Sequence, residues 1–306
     1  MRGRCRLLAM PDRGESTTLR KLCAFAAAGW AAAALPAAAQ DQIVPPAADT
    51  PEVAEALAGD FLVVGLGGAL VPSYDGSDDY VLIPVPLVQG SIRGVGLNPR
   101  PGGLALDLID DRANDGPTFS LGPVVRLRSS RAGQIEDEVV ELLPELDRAI
   151  EIGASGGIAF PAVLNPYDSL SLSADVRWDV AGAHGGMTVA PSVSYTTPLS
   201  RGIAAILSVG GEWGGDEFMG YYYSVTPQAS AITGLPVFEA DAGFRSVGAT
   251  MLLGFDLNGD LTDGGFSLFA LAGYSRALGD AAETPFTSER GSADQLIGGL
   301  GVGYAF

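Results

Sequence analysis

Cysteine is nearly missing from this 306-residue chain: Cys5 and Cys23 are the only two, and neither lies beyond residue 23. Once the N-terminal segment is removed, no disulfide and no thiolate zinc site is left to hold the fold. Histidine is scarcer still, with His184 alone, and the single lysine is Lys21, so every later cation is an arginine. Charged residues make up 18% of the chain, below a typical soluble domain, and the balance is acidic, 36 Asp and Glu against 18 Lys and Arg. Such thin positive charge excludes nucleic acid as a partner, because neutralising phosphates needs clustered cations. No run of about 20 apolar residues follows the N-terminus, which excludes spanning helices.

The N-terminus itself carries a leader. Arg20 and Lys21 precede an apolar run over 22–35, and Pro36-Ala-Ala-Ala39-Gln40 supplies the small residues of a cleavage site. These residues predict a secretory signal over 1–39, cut between Ala39 and Gln40, with translation starting at Met10 as an alternative. Lys21 and Leu22 occupy the lipobox positions before Cys23, which argues against a lipid anchor. The leader takes six basic and two acidic residues with it, leaving 12 against 34 and a net charge of −22. From 40 to 59 the chain is rich in Pro and Ala and acidic, a periplasmic tether. The folded body is then 60–306.

The end of that body is the most informative stretch. Gly298, Leu300, Val302, Tyr304 and Phe306 fall on one face of a strand, and Gly299, Gly301, Gly303 and Ala305 fall on the other. One face is oily and the other almost bare. In a soluble sheet the bare face would leave a core empty; in a transmembrane barrel the oily face meets lipid and the bare one lines a crowded lumen. A terminal Phe with an aromatic two residues before it resembles the closing signal read by the outer-membrane assembly machinery, which makes Leu300, Val302, Tyr304 and Phe306 the candidate assembly signal.

The same alternation repeats upstream. Segments of ~10 residues or more recur at 61–71, 118–128, 169–181, 187–197, 203–213, 239–256 and 266–276, longer than the 5–6 usual in soluble sheets. Shorter strands are expected at 80–88, 91–97, 103–109 and 151–160, with 98–101 as a turn. Pro84 and Pro86, two apart, each lack a ladder donor on the same side of their strand and mark a locally weak seam or a bulge. Ile135, Val139, Leu142, Leu143 and Leu146 predict a small amphipathic helix over 135–150. The total is twelve strands, an all-β antiparallel transmembrane barrel of the outer-membrane type, with long connections outward and short ones inward. Aromatics near strand ends (Tyr80, Trp178, Tyr195, Trp213, Tyr274, Tyr304) suit an interfacial girdle.

Alternation also turns a set of charges inward: Arg126, Arg128, Asp175, Arg177, Asp179 and Glu212, with Asp107. They can line a solute path or pair across a shut lumen. His184, five residues after Asp179, would be the base of an esterase only if a serine such as Ser171, Ser173 or Ser192 lay beside it, and none of these stands in a nucleophile motif. Asp256-Leu-Asn-Gly-Asp260 has a calcium-loop rhythm but lacks its sixth-position Gly and final Glu, and a hairpin turn explains the same residues. No cofactor motif is present, since the Gly-x-Gly patterns lie within strands.

Order and spacing together resemble the MipA/OmpV family, which contains MltA-interacting protein. The resemblance rests on Tyr74-Asp-Gly-Ser77, Gly122-Pro123, Asp179-Val-Ala-Gly-Ala-His-Gly-Gly186, Tyr222-Tyr-Ser-Val-Thr-Pro-Gln-Ala-Ser230, Thr233-Gly-Leu-Pro236, Asp280-Ala-Ala-Glu-Thr-Pro-Phe286, Arg290-Gly-Ser292, Gln295 and Gly303-Tyr-Ala-Phe306. It implies a non-enzymatic scaffold in the outer membrane of a Gram-negative bacterium, linking a murein synthase to a murein lytic transglycosylase. A channel for small solutes is the alternative. Acidic loops would also meet lipopolysaccharide through divalent cations.

Overall fold

The computed structural model describes residues 60–306 except 112–115; the leader, its Ala39–Gln40 junction and the tether lie outside the described residues. Twelve antiparallel strands close into one ring: β1 (Phe61–Pro72), β2 (Tyr80–Ile92), β3 (Val95–Arg100), β4 (Gly103–Asp107), β5 (Thr118–Arg128), β6 (Ala149–Pro161), β7 (Ser169–Asp179), β8 (Met187–Ser200), β9 (Ile203–Gly214), β10 (Gly243–Asp256), β11 (Gly265–Ala277) and β12 (Asp294–Ala305). Each pairs with its neighbours in sequence, and β12 pairs back onto β1 from Val63↔Ala305 to Leu70↔Gly298. Gly67 is needed there: a Cβ would come within 2.6 Å of the Leu300 carbonyl oxygen.

The oily faces point outward as alternation requires. Leu66, Leu82, Phe119, Leu121, Leu207, Val209, Phe266, Leu300 and Val302 are exposed on the outer wall, where a membrane supplies the apolar contact that water cannot. Trp178 and Phe244 sit near one rim, Phe119, Phe266, Tyr304 and Phe306 near the other. Inside, the wall has two characters. From β5 to β8 it presents Ser120, Ser171, Ser173, Ser192 and Ser194, with Ser173 and Ser192 hydroxyls 2.8 Å apart. Around β11, β12, β1 and β2 it presents Phe269, Leu271, Ile297, Val81, Ile83, Val85 and Leu87.

The three longest connections, 129–148, 215–242 and 278–293, gather at one rim, which the short-turn rule for outer-membrane barrels makes the external one. They contain α1 (Asp216–Tyr223), α2 (Pro227–Thr233), α3 (Asp280–Glu283) and α4 (Pro285–Ser288). Local chemistry sets α2: Thr226 caps it by accepting from the Ala229 N–H at 3.1 Å, Pro227 opens it, and Gly234 ends it in the left-handed conformation.

Two expectations are corrected. The segment 135–150 is not an amphipathic helix but an irregular loop with one 3-10 turn (Val140–Leu142), and Ala149 already begins β6. Pro144 would lack the helical N–H and clash with the preceding turn, while Asp137 draws the Val139 and Val140 N–H groups into a cap. Val140 and Leu143 are buried and Leu142 is left exposed. The third strand is 95–100 rather than 91–97, because Ser91 and Ile92 finish β2 and the turn is Arg93-Gly94, both at positive φ. The residues 98–100, expected as a turn, are strand.

Pairing between β2 and β3 is short. It consists of Gly90↔Leu97, Ser91↔Gly96 and Ile92↔Val95 at the periplasmic end, whereas β1 and β2 pair from Phe61↔Ser91 to Pro72↔Tyr80. Among the described residues, β2 above residue 90 therefore has a bare edge.

Candidate functional site

The loops build a lid with its own small cores. Tyr74, Val140, Leu143, Val225, Leu235 and Phe286, from four different connections, form one buried cluster; Phe218, Met219, Tyr222 and Tyr223 of α1 form a second with Ala240 and Ala281. α1 folds straight back over the mouth from the end of β9. That is possible because residue 214 is glycine, where a Cβ would sit 2.3 Å from the Phe218 ring. Arg131 is buried against this lid, its guanidinium 4.2 Å above the Phe286 ring and only a 3.4 Å bond to the Tyr222 carbonyl oxygen at its Nη1. Burial lowers it to about 10. Burial likewise pushes the Tyr223 hydroxyl up to about 12.

Beneath the lid lies a layer of buried charge. Glu212 on β9 accepts from Arg126 at 2.7 Å, Arg128 at 2.8 Å and Arg177 at 2.6 Å, and is paired with Arg245. Glu151 on β6 accepts from Arg128 at 2.6 Å and Arg177 at 3.0 Å. Asp175 holds Arg177 at 3.3 Å and Arg100, from the β3 tip, at 2.9 Å. Asp75 of the β1–β2 loop reaches Arg245 at 3.3 Å. Arg128, Glu151, Arg177 and Glu212 are each no more than 4% exposed. The ring of Phe218 covers Arg128 at 4.7 Å, so the lid seals the layer from above. Strands β5, β6, β7, β9 and β10 each contribute, which makes the layer a cross-brace of the whole mouth.

Of the inward charges expected from alternation, Arg126, Arg128, Asp175, Arg177 and Glu212 meet here. Asp179 does not; it accepts from the N–H groups of Ala181, His184 and Gly185 and shapes the β7–β8 turn. Asp107 lies lower, taking the Ile109 and Leu121 N–H groups. The sequence reading missed Glu151, Arg245, Arg100 and Asp75. Glu151 carried a signal, standing between outward Ile150 and Ile152. Arg245 carried none: a bulge between Phe244 and Ser246 shifts the register by one, so alternation counted from Val247 points it at lipid.

His184 lies under the lid, edge-on to Phe218 with ring centroids 5.1 Å apart. Its Nδ1 accepts from the Gly186 N–H at 3.1 Å, and its Nε2 faces Glu151 at 3.5 Å. It meets a carboxylate rather than a serine. Asp256 and Asp260 are engaged in their own turn, accepting from Asn258, Asp260 and Thr262 N–H groups. Among the described residues no group of three or more His, Cys, Asp or Glu is placed to hold a metal ion.

Residues 64–306 match the family model described as MltA-interacting protein MipA. The chain belongs to that family. The residues that carry the MipA resemblance are largely those of the lid: Tyr74, Tyr222, Tyr223, Thr233-Gly-Leu-Pro236, Phe286 and Arg290. As a MipA-family barrel it is a protein of the Gram-negative outer membrane. No curated protein matches. Among solved structures, an outer-membrane channel from Pseudomonas putida F1 is 14% identical, with 81% of this chain and 96% of that one aligned and a TM-score of 0.42. A channel titled CymD monoaromatic hydrocarbon channel is 10% identical over 81% and 89%, TM-score 0.33. A Pseudomonas aeruginosa FadL homologue is 11% identical over 80% and 89%, TM-score 0.31.

Proposed function

We propose that this chain is a shut, structural barrel that scaffolds murein-synthesising and murein-degrading enzymes at the inner surface of the outer membrane. The observation that carries the reading is the clamp of four arginines on Glu212 beneath the lid. A hydrated solute path needs its charges facing water, whereas these face one another across the mouth. The family's name, MltA-interacting protein, supports that class of partner.

On this reading the partner surface is the tether 40–59 together with the short turns 162–168 and 257–264. Those turns alone offer little of the ~1,600 Å² that a standard stable interface buries, so the tether supplies most of it. At the opposite rim the connections carry sixteen carboxylates and three arginines, a surface suited to divalent-cation bridges with lipopolysaccharide. Leu300, Val302, Tyr304 and Phe306 serve as the signal for the assembly machinery. No catalytic step and no cofactor enters this role.

Two measurements test it. Purified protein in planar bilayers is expected to give no reproducible conductance steps; their appearance would replace the scaffold by a porin. Affinity capture from solubilised envelopes is expected to recover a lytic transglycosylase and a murein synthase, and to lose both when 40–59 is deleted. Failure to recover either enzyme with the intact chain would end the scaffolding claim.

A further inference from the structure

The bare edge of β2 cannot be zipped. The ladder to β1 runs unbroken past Pro84 and Pro86, so their donor-less nitrogens fall on the other side, toward β3. Between Leu82 and Val88 the donors on that side should be Leu82, Pro84, Pro86 and Val88, and two of the four are absent. The facing strand repeats the pattern. Extending the observed register from Gly90↔Leu97 would set Val88 against Pro99 and Pro86 against Pro101, in the same hydrogen-bonding class of pair. Three of those four nitrogens belong to proline. A second chain adding a strand to either edge would meet the same missing donors.

The hairpin of β3 and β4 is also anchored on the side away from β2. Arg100, at its tip, donates to Asp175 of β7 at 2.9 Å and to Ser155 of β6 at 3.2 Å, both on walls beyond β5. Unpaired backbone in hydrocarbon costs several kcal/mol per group, so an edge left open at membrane depth needs a cause. Beside it, β2 is oily on both faces: Leu82, Pro84 and Pro86 are exposed to lipid, and Val81, Ile83, Val85 and Leu87 face the lumen. Across the lumen stands the serine wall of β7 and β8.

We propose that the flank between β2 and the β3–β4 hairpin is a lateral port. It admits, from the lipid into the lumen, a slim apolar molecule ending in a small neutral polar head, the chain lying on β2 and the head on Ser173, Ser192 and Ser194. The port goes beyond the scaffold reading and does not depend on it, since a mouth shut along the axis leaves the flank unaffected.

The scarcity of cysteine supplies the test. With Cys5 and Cys23 changed to Ser, single thiols are introduced by Val85→Cys beside the port, Ser194→Cys on the far wall and Leu66→Cys on the lipid face. Each protein is reconstituted in liposomes and treated with N-dodecylmaleimide. The Val85→Cys thiol is expected to react roughly tenfold faster than the Ser194→Cys thiol, a difference of about 1.4 kcal/mol in barrier. Equal rates at the two lumenal positions, or no reaction at Val85→Cys while Leu66→Cys reacts, would overturn the port. Changing Pro84, Pro86, Pro99 and Pro101 to Thr restores the donors and is expected to slow Val85→Cys about tenfold without altering Leu66→Cys. An unchanged rate in a variant that still shows heat-modifiable migration would overturn it as well. Should that variant not fold, the comparison of positions in the unaltered seam decides alone.

Discussion

At the outer mouth, four guanidiniums from three strands converge on one carboxylate, Glu212; on the flank between β2 and β3, two backbone edges confront each other with prolines where donors belong. Both regions hold polar groups in a poorly solvated wall. The mouth answers with charge pairing so dense that no member can be removed singly without exposing another. The flank answers by removing three of the four N–H donors that would meet across it, though not their carbonyls. One device fixes the barrel's shape, and the other leaves a gap in it.

The comparison breaks most visibly at Glu212. Glu212→Ala strands four arginines under the lid and is expected to cost ~3–5 kcal/mol, the usual penalty for orphaning a buried charge. A lowered urea midpoint in detergent, together with conductance steps that the native chain lacks, would register it. Replacing the same residue by Gln keeps the volume and should lose nearly as much, because the charge and not the space is what the arginines require.

Arg100 joins the two regions, since it ties the flank's hairpin to the mouth's Asp175. Arg100→Ala removes a charge-assisted bond worth about 1.5–3 kcal/mol and should free the hairpin locally. Faster hydrogen exchange over 95–107, with the rest of the ring unchanged, is the expected pattern. Uniform acceleration throughout the barrel would mean that the hairpin and the mouth are one unit.

A milder change sharpens the contrast from the other side. Pro86→Thr alone restores one donor, toward the Pro101 carbonyl of a hairpin that Arg100 ties to the opposite side, and should shift stability by less than about 1 kcal/mol. A large gain would show that β2 has an unsuspected partner.

The smallest effect is electrostatic. Burial, and then Asp78, Asp137 and Glu136 nearby, push the Asp79 carboxyl above its ordinary value. A raised carboxyl binds its proton more tightly in the folded chain, so stability rises as pH falls through the folded pKa and is lower above it. Exchange in the 73–79 loop, corrected for its intrinsic pH dependence, should therefore slow as pH falls toward the folded pKa of Asp79, and Asp79→Asn should abolish that added protection.

Much of this architecture was legible in the alternation of residues. Leu170, Leu172 and Trp178 against Ser171, Ser173 and Arg177 told both faces of β7, and the same reasoning placed Arg126, Arg128 and Glu212 inward. It failed where local rules yield to others. Apolar spacing over 135–150 suggested a helix that Pro144 forbids, and the bulge at Phe244–Ser246 concealed Arg245. The lid was opaque for a different reason: its cores join residues as distant as Tyr74 and Phe286, and no periodic signal relates loops that meet only in space. The prolines of β2 pointed to a seam, but its extent followed only from the register of β3.

The glycine inner faces of β1 and β12 bear on how the ring is completed. With Gly65 and Gly67 opposite Gly303 and Gly301, nothing on the lumenal side distinguishes one alignment of these two strands from another. A slip of β12 by one residue against β1 would turn Leu300, Val302 and Tyr304 inward and Gly299, Gly301 and Gly303 toward hydrocarbon. The final joint is thus proofread by the solvent outside it: lipid rejects an alignment that is off by one, and in water the two ends have little reason to choose.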